Sequence, residues 1–333
     1  MRLAGVRNWF QGSSIPDAVI ASLTAIAPYA VPDGPLHAPL VHAPLVHAPL
    51  VDAPSRSAVQ PLWTDARIAM AEGLWGEGFL LPGGESEVLR LVRPLGLPAA
   101  ASLLLVGAQA AGPAIVIARQ LGVWVSGFES DPILAALGTE RAQKSGLGTR
   151  VQVESWNPDE PIFQAGAYHH GLALEPLHNL AIESTRGGRV EPVLAAIGGA
   201  LKPGGQFMLL ETVADTKLAP DDTESLAWAR LENRRLDLPS EASITRVLGR
   251  LGFDVRVVED LSQRHAHLAV LGWRDAVRRM REDRPSPGQS ALLVREAELW
   301  FYRIRMLRAG RLRLLRWHAI RRGGPAGSSH ILP

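Results

Sequence analysis

The residues best suited to chemistry surround a small-residue turn that joins an apolar run to a helical segment. The run Leu103–Val106 leads directly into residues 107–113, which read GAQAAGP. A strand, a glycine-rich turn and a helix hold nucleotide-like ligands in doubly wound folds, because glycine lets the backbone approach the ligand and a helix N-terminus follows. The segment alone also fits an ordinary strand–helix turn, so a second signal is needed.

The second signal is an acid at the end of the next apolar run. Glu129 closes the stretch VSGFE and lies 22 residues beyond Gly107, close to the spacing of a dinucleotide-binding fold. A carboxylate there can accept hydrogen bonds from both ribose hydroxyls of a dinucleotide or an adenosyl group. An acid ahead of Pro132 would also be favoured by the positive N-terminus of a following helix. We favour the ribose role and keep the helix role open.

The elements that must position these residues form a repeating pattern. From Leu62 onward, short apolar runs alternate with segments of helical periodicity, which predicts βαβ units and a parallel sheet. The predicted strands are Ser102–Val106, Trp124–Glu129, Val151–Glu154, His170–Leu174, Gln206–Val213, Asp254–Asp260 and Arg264–Gly272. The predicted helices are Gly112–Leu121, Pro132–Ser145, Val190–Leu201, Glu241–Leu251, Asp275–Asp283, Ala291–Arg308 and Arg311–Arg322. The fold class is therefore α/β, a doubly wound Rossmann-like sheet, mostly parallel with an antiparallel final strand, plus C-terminal helices.

The composition limits size, compartment and partners. The chain has 333 residues, 47% of them hydrophobic, no cysteine and a net charge of +2. This length fits one large α/β domain with appendages or two small domains. The lack of cysteine excludes disulfides, thiolate metal sites and a cysteine nucleophile, and it fits a cytoplasmic location. The small net charge argues against nucleic acid as a general partner, and no set of His, Asp and Glu has metal-ligand spacing, so no metal is predicted.

Residues 1–61 form an N-terminal extension that contains a low-complexity repeat at 36–54. The unit His-Ala-Pro-Leu-Val recurs there, and its prolines exclude a helix or a central strand and predict an extended, polyproline-like linker. The repeated histidines His37, His42 and His47 could form a weak metal tract, but duplication within a linker explains them more simply. No run is long enough to predict a transmembrane helix, and no signal peptide is expected because Pro28 interrupts the N-terminal apolar run.

Four stretches together resemble class I S-adenosylmethionine-dependent methyltransferases, in the small-molecule branch that includes phosphoethanolamine N-methyltransferases and cyclopropane-fatty-acid-synthase-like enzymes. Residues 75–84 (WGEGFLLPGG) are similar to the lid over the cofactor, and the Gly107 turn to the first cofactor motif. Residues 127–132 (GFESDP) are similar to the ribose motif, and residues 201–206 (LKPGGQ) to the turn before strand five. The resemblance implies a methyltransferase-like Rossmann domain at 62–273.

The resemblance also implies which residues bind S-adenosyl-L-methionine. They are Gly107 and Ala108 at the methionine, Glu129 at the ribose, Ser130 and Asn157 at the adenine, and Leu80, Leu81 and Leu174 around the cofactor. After the fourth strand, Glu175 and His178 match positions that face the substrate. Methyl transfer is an in-line displacement in which the protein positions the nucleophile and takes up its proton. A histidine titrates near neutral pH, so His178 is the candidate base; a histidine that only bonds backbone at a helix entry would look the same.

The first cofactor motif departs from the family pattern of an acid on strand one followed by three spaced glycines. Leu105 stands at the acid, Gln109 at the second glycine and Ala111 at the third. Glutamine places a side chain where the backbone would touch the ligand. On strand four, His169 stands where an Asp is usual.

The C-terminal segment predicts a basic helical extension at 274–333. Residues 300–322 carry many arginines, interleaved with apolar residues, and no acid. A basic amphipathic helix can lie on an anionic membrane surface or bind an acidic partner, or it can pack its apolar stripe on the domain, which we favour. Nucleic acid is the least favoured partner, and the long C-terminal helices could also pair in a homodimer.

Two functions from different classes follow from these patterns. The leading hypothesis is an enzyme, a methyltransferase that transfers a methyl group from S-adenosyl-L-methionine to a small-molecule substrate. The alternative, motivated by the departures in the first motif, is a catalytically inactive methyltransferase-fold scaffold or regulatory protein that binds a partner.

Overall fold

The computed structural model describes residues 61–178, 190–280, 282 and 285–323. The repeat at 36–54 and nearly all of the predicted N-terminal extension lie outside the described residues. Within the described part of the chain, none of the helices is both long and apolar enough to cross a bilayer.

A single sheet runs through the described residues. Its strands are β1 (Ser102–Val106), β2 (Trp124–Glu129), β3 (Val151–Ser155), β4 (Tyr168–Leu174), β5 (Leu201–Val213), β6 (Phe253–Asp260) and β7 (Arg313–Arg321). They lie in the order β3-β2-β1-β4-β5-β7-β6. The first five strands pair in parallel, whereas β7 is antiparallel to both β5 and β6. The predicted α/β, doubly wound, mostly parallel sheet with an antiparallel final strand is confirmed.

Helices cover both faces of this sheet. They are α1 (Asp65–Trp75), α2 (Gly84–Val92), α3 (Gly112–Leu121), α4 (Pro132–Lys144), α5 (Val190–Ala200), α6 (Thr223–Glu232), α7 (Glu241–Arg250), α8 (Ser262–Met280) and α9 (Pro287–Arg308). Along β1, Leu103 and Leu105 enter one core while Leu104 and Val106 enter the other. A parallel strand that is covered on both faces is continuously apolar, which explains why the sequence identifies β1 so clearly.

The strand predicted at Arg264–Gly272 is wrong, because this segment lies inside α8. Its buried residues recur at helical spacing, from His265 through Ala269 and Trp273 to Ala276. The short alternation of histidine and apolar residues at 265–268 imitates the period of a strand. His265 is therefore buried rather than at an exposed edge, whereas His267 is exposed.

The basic helix predicted at Arg311–Arg322 is also wrong, because this segment forms β7. Leu315 and Trp317 are completely buried there, and Arg313 reaches Asp260 across the sheet at 2.9 Å. Arginine and leucine both favour helices, but pairing with β5 and β6 overrides that preference. The predicted domain boundary after Trp273 falls inside α8, and the sheet continues to Arg321.

Burial of β7 has a measurable consequence. Trp317→Ala should lower the free energy of unfolding by about 3–5 kcal/mol, because it leaves a large cavity in the core. The matched change Trp124→Ala, at a side chain that is 46% exposed, should cost about 1 kcal/mol or less. Urea unfolding of both variants makes the comparison, and equal small losses would mean that β7 is not a core strand.

Candidate active site

A cavity of about 130 Å³ opens beyond the carboxyl ends of the parallel strands. It lies next to β1 and β4, where the strand order changes direction along the sheet. Ligands of open α/β sheets bind at such switch points. The cavity has two walls, which differ in chemistry.

The first wall contains most of the residues that the sequence assigns to a cofactor. It comprises Leu80, Leu81, Gly107, Gln109, Glu129, Ser130, Leu134, Trp156 and Leu174. Two predicted residues do not line it, since Ala108 is fully buried and Asn157 is exposed. Asn157 Oδ1 accepts a hydrogen bond from the Asp159 amide at 3.0 Å, which closes a local turn. The neighbouring Trp156 lines the cavity in place of Asn157, and the sequence patterns did not point to it.

Packing between β1 and β4 requires the glycine at position 107. Gly107 has a φ of 80°, and a Cβ atom there would lie 2.2 Å from the Leu174 carbonyl oxygen. Its amide donates to the Phe128 carbonyl at 2.8 Å. The turn is therefore held close to both neighbouring strands.

The turn after β1 keeps the left-handed backbone typical of glycine at the two positions where the family pattern has glycine and this chain has Gln109 and Ala111. Gln109 and Ala111 have φ values of 57° and 71°, a left-handed conformation that costs a side chain roughly 1–2 kcal/mol. Hydrogen bonds from Gln109 offset that cost. Its amide donates to Glu129 Oε2 at 2.8 Å, and its side-chain Oε1 accepts from the Leu80 amide at 2.6 Å.

The lid segment is joined to this turn at a second point. Gly78 lies so close to Gly112 that a Cβ on Gly78 would approach the Gly112 nitrogen to 2.5 Å. The Gly112 amide donates to the Gly78 carbonyl at 3.1 Å. With the bond between Leu80 and Gln109, this contact places the lid against the cavity.

Glu129 is a buried carboxylate whose oxygens are only partly used. Besides the Gln109 amide, it accepts from the Asp131 amide at 3.2 Å and from Ser130 Oγ at 3.3 Å. Burial raises the pKa of Glu129, and the hydrogen bonds from Asp131 and Gln109 act in the opposite direction. A carboxylate offers about four lone-pair sites, so acceptor capacity remains for a ligand.

Leu105 and His169, two of the departures from the family's sequence pattern, have different structural roles. Leu105 is fully buried, so the family's acidic position contributes to the core here. His169 lies at the start of β4, where its Nδ1 is 2.8 Å from Ser102 Oγ. That end of the strand is opposite the cavity, so His169 does not bear on cofactor binding.

The second wall is charged and aromatic, and sequence reasoning found only Glu175 and His178 in it. It comprises Leu62, Trp63, Arg67, Glu175, Pro176, His178, Glu232, Glu296, Leu299, Trp300 and Arg303. Residues 296, 299, 300 and 303 share one face of α9 at helical spacing. A glutamate and an arginine within that otherwise apolar stripe are the signal that could have identified them.

A buried ionic cluster links this wall to the sheet. Arg303 donates to both Glu175 and Glu232, and to Thr212 Oγ1 at 3.1 Å. Arg234 donates to Glu211 Oε1 at 2.6 Å and to Glu175 Oε2 at 3.4 Å.

The two arginines act differently on the two carboxyl groups deepest in this cluster. Burial would raise the pKa of Glu175, but Arg303 and Arg234 hold it well below its usual range. Burial raises the pKa of Glu211, and the neighbouring Glu175 charge adds to that effect against Arg234. Glu175 is therefore the firmly ionised member.

His178 lies at the edge of the cluster with both ring nitrogens bonded to protein. Its Nε2 is 3.2 Å from the Glu232 carbonyl oxygen, which can only accept. Its Nδ1 is 3.3 Å from Arg234 Nη1, which can only donate. Nδ1 also lies 3.8 Å from Glu175 Oε2, so the ring is held between Arg234, Glu175 and the Glu232 carbonyl. Glu175, His178 and Glu232 also bring three ligand-type atoms within 4.8 Å of one another, a grouping that the sequence conceals because Glu232 lies 54 residues beyond His178.

A smaller cavity of about 30 Å³ shares Leu81, Gln109 and Leu174 with the first. His265 lines it with an Nε2 that has no partner among the described residues. Burial, assisted by the Arg303 charge, lowers the pKa of His265 from 6.5 to about 3. A neutral histidine is thus enclosed behind the turn.

Solved methyltransferase structures share this architecture. Phosphoethanolamine N-methyltransferase 2 of Haemonchus contortus, in complex with phosphomonomethylethanolamine and S-adenosylhomocysteine, has a TM-score of 0.65 and 19% identity over 78% of this chain and 58% of that chain. A protein of Galdieria sulphuraria described as a sarcosine dimethylglycine methyltransferase has a TM-score of 0.61 and 16% identity over 78% of this chain and 99% of that chain. The cyclase SpnF has a TM-score of 0.56 and 15% identity over 79% of this chain and 99% of that chain.

The chain therefore has the fold of class I S-adenosylmethionine-dependent methyltransferases. The match spans less than two thirds of the Haemonchus enzyme. No protein-family model and no curated protein matches the sequence. Because a cyclase shares the fold, the reaction must be argued from the site.

The buried His265 predicts a pH dependence of stability. Between about pH 3 and 6.5 the unfolded chain binds a proton at this residue and the folded chain does not, so stability is lost as the pH falls below 6.5. From pH 7 to pH 5 the loss should be about 2 kcal/mol. His265→Gln should remove most of it, and the same change at the exposed His267 should not. Urea unfolding of each variant at pH 7 and pH 5 measures this loss. A loss of the same size in His265→Gln would mean that His265 is not its source.

Proposed function

We propose that the protein transfers a methyl group from S-adenosyl-L-methionine to a small-molecule substrate. The observation that carries the proposal is the position of Glu129, a buried carboxylate with acceptor capacity at the end of β2, facing a cavity at the switch point of the sheet. The Haemonchus enzyme with the same fold was solved with S-adenosyl-L-methionine and with S-adenosylhomocysteine, which supports the same cofactor here.

The first wall fits this cofactor. Glu129 would accept from a ribose hydroxyl at its remaining lone-pair site, and Gly107 would lie near the methionine part. Leu80, Leu81 and Leu174 would enclose the ligand, and Ser130 and Trp156 would flank the adenine. Asn157 would have to leave the Asp159 amide to reach the adenine, so we assign that side of the site to Trp156.

The second wall would handle the substrate. When bound, S-adenosyl-L-methionine supplies an electrophilic methyl group on a sulfonium sulfur. The chain must place the acceptor in line with that methyl and remove the acceptor's proton. Glu175 would act by fixing Arg303 and Arg234. His178 would be the candidate proton acceptor, held in place by Arg234 at 3.3 Å and Glu175 at 3.8 Å from Nδ1.

The inactive scaffold remains the second candidate, and one observation favours it. Leu105 and Gln109, at two departures from the motif, serve the chain's own packing: Leu105 lies in the core, and Gln109 bonds to Leu80 across the cleft. A scaffold of this kind would bind no cofactor.

Isothermal titration with S-adenosylhomocysteine separates these candidates. The wild-type chain should bind, and Glu129→Gln should weaken binding by about tenfold to a hundredfold, because a hydrogen bond to a charged group contributes about 1.5–3 kcal/mol. Glu154→Gln, which removes the same charge at an exposed position on the adjacent strand, is the matched control. If the wild-type chain gives no binding heat at high micromolar S-adenosylhomocysteine, the proposal of an enzyme is wrong.

A further inference from the structure

Gln109 brings a carboxamide into the first wall at a position where the family pattern has glycine. It lies two residues beyond Gly107, lines both cavities, and is only 7% exposed. Glu129 and Ser130, the neighbouring polar side chains of this wall, are assigned to the ribose and the adenine. The polar side chain that remains for the methionine end of the cofactor is therefore Gln109.

The hydrogen bond to the lid decides which end of this carboxamide is left for a ligand. The Leu80 amide can only donate, so the Gln109 atom that it meets at 2.6 Å is the carbonyl oxygen Oε1. Because the group is planar, this bond also fixes the direction of the –NH2 end. Nε2 donates to no atom of the described residues, and it is not sealed in the core as the indole nitrogen of Trp156 is. The chain thus holds two open N–H donors in a fixed position.

The start of α3 makes the potential near these donors more positive. This helix begins at Gly112, three residues after Gln109, with no side-chain cap and no acid in its first turn. By contrast, the side chain of Asp131 caps α4. A helix N-terminus carries partial positive charge and favours an anion. The same potential disfavours an ammonium group.

An ammonium group also lacks a free carboxylate in this part of the site. Leu105, where the family pattern has an acid, is fully buried. Glu129 is already bonded by three donors of the chain, and its remaining capacity is assigned to the ribose. Glu175 is paired with two arginines. The polar groups around the turn are therefore suited to a carboxylate, whose complement is a set of N–H donors.

We propose that Gln109 is a cofactor-binding residue whose –NH2 group donates to the carboxylate of the methionine end, and that the site recognises this carboxylate rather than the ammonium group beside it. The inference rests on the proposed use of S-adenosyl-L-methionine. A glycine at position 109 could not make this bond. Because the same carboxamide accepts from Leu80, carboxylate binding is coupled to the position of the lid.

The test titrates the full chain with three ligands in the calorimeter. They are S-adenosylhomocysteine, its decarboxylated analogue, which ends in an ammonium group alone, and its deaminated analogue, which ends in a carboxylate alone. Loss of the carboxylate should weaken binding by about tenfold or more, the effect of a hydrogen bond to a charged group, whereas loss of the ammonium should weaken it by less than about threefold.

The variant Gln109→Glu separates ligand binding from packing. It keeps the shape of the side chain and an oxygen that can accept from Leu80, but it replaces the donating –NH2 with a carboxylate oxygen. It should weaken S-adenosylhomocysteine and the deaminated analogue by about tenfold or more, without weakening the decarboxylated analogue. A purely structural disturbance would weaken all three ligands alike. Gln152→Glu, the same change at an exposed position on β3, is the matched control and should leave all three affinities unchanged.

Three results would overturn the assignment of Gln109. They are wild-type binding of the decarboxylated analogue as tight as that of S-adenosylhomocysteine, an equal loss of affinity for the two analogues, and unchanged affinity for S-adenosylhomocysteine in folded Gln109→Glu. If that variant does not fold, the three wild-type titrations still decide. If S-adenosylhomocysteine binds and the carboxylate contributes nothing, only this inference fails. If none of the three ligands binds the wild type, the proposed cofactor is wrong and the inference fails with it.

Discussion

The turn after β1 depends on one buried carboxylate. Glu129 accepts from the amide of Gln109, and this bond holds a residue other than glycine in a left-handed conformation. The side chain of Gln109 then accepts from the Leu80 amide, so the same residue fixes the lid. Loss of Glu129 would remove the acceptor that offsets backbone strain at the centre of the site. The two motif glycines can be absent because hydrogen bonds replace the conformational freedom they would supply.

The ionic cluster plays the corresponding role on the other side of the cavity. Arg303 from α9 and Arg234 after α6 meet Glu175 beyond β4 and Glu211 on β5. Buried ion pairs contribute little net stability because desolvation offsets their attraction. Their role here is to fix the position of α9, because Arg303 can reach both Glu175 and Glu232 from only one register of that helix. The cluster thereby fixes Trp300 and Glu296 in the second wall of the cavity.

The sequence predicts the first five strands, and several of the residues it singles out line the first wall, because their signals are local. The buried run of β1 and the proline at the start of α4 lie within the elements they indicate, and the spacing from Gly107 to Glu129 covers a single strand–helix–strand unit. The errors occur where distant contacts decide. Leu315 and Trp317 belong to a strand only because their segment pairs with β5 and β6. Residues 264–272 belong to α8, although their local alternation resembles that of a strand. Glu175, Glu232 and Arg303 meet only in the folded chain, so no spacing rule could have assembled the second wall.

We propose that the cavity between the lid segment and the turn after β1 is an adenosyl site bounded by Glu129 and Gln109. Hydrogen–deuterium exchange of the full chain, with and without saturating S-adenosylhomocysteine, tests it most directly. Exchange should become slower only in peptides that cover residues 76–81, 107–112 and 129–134. Unchanged exchange in all three segments, or protection located elsewhere in the described chain, would contradict it.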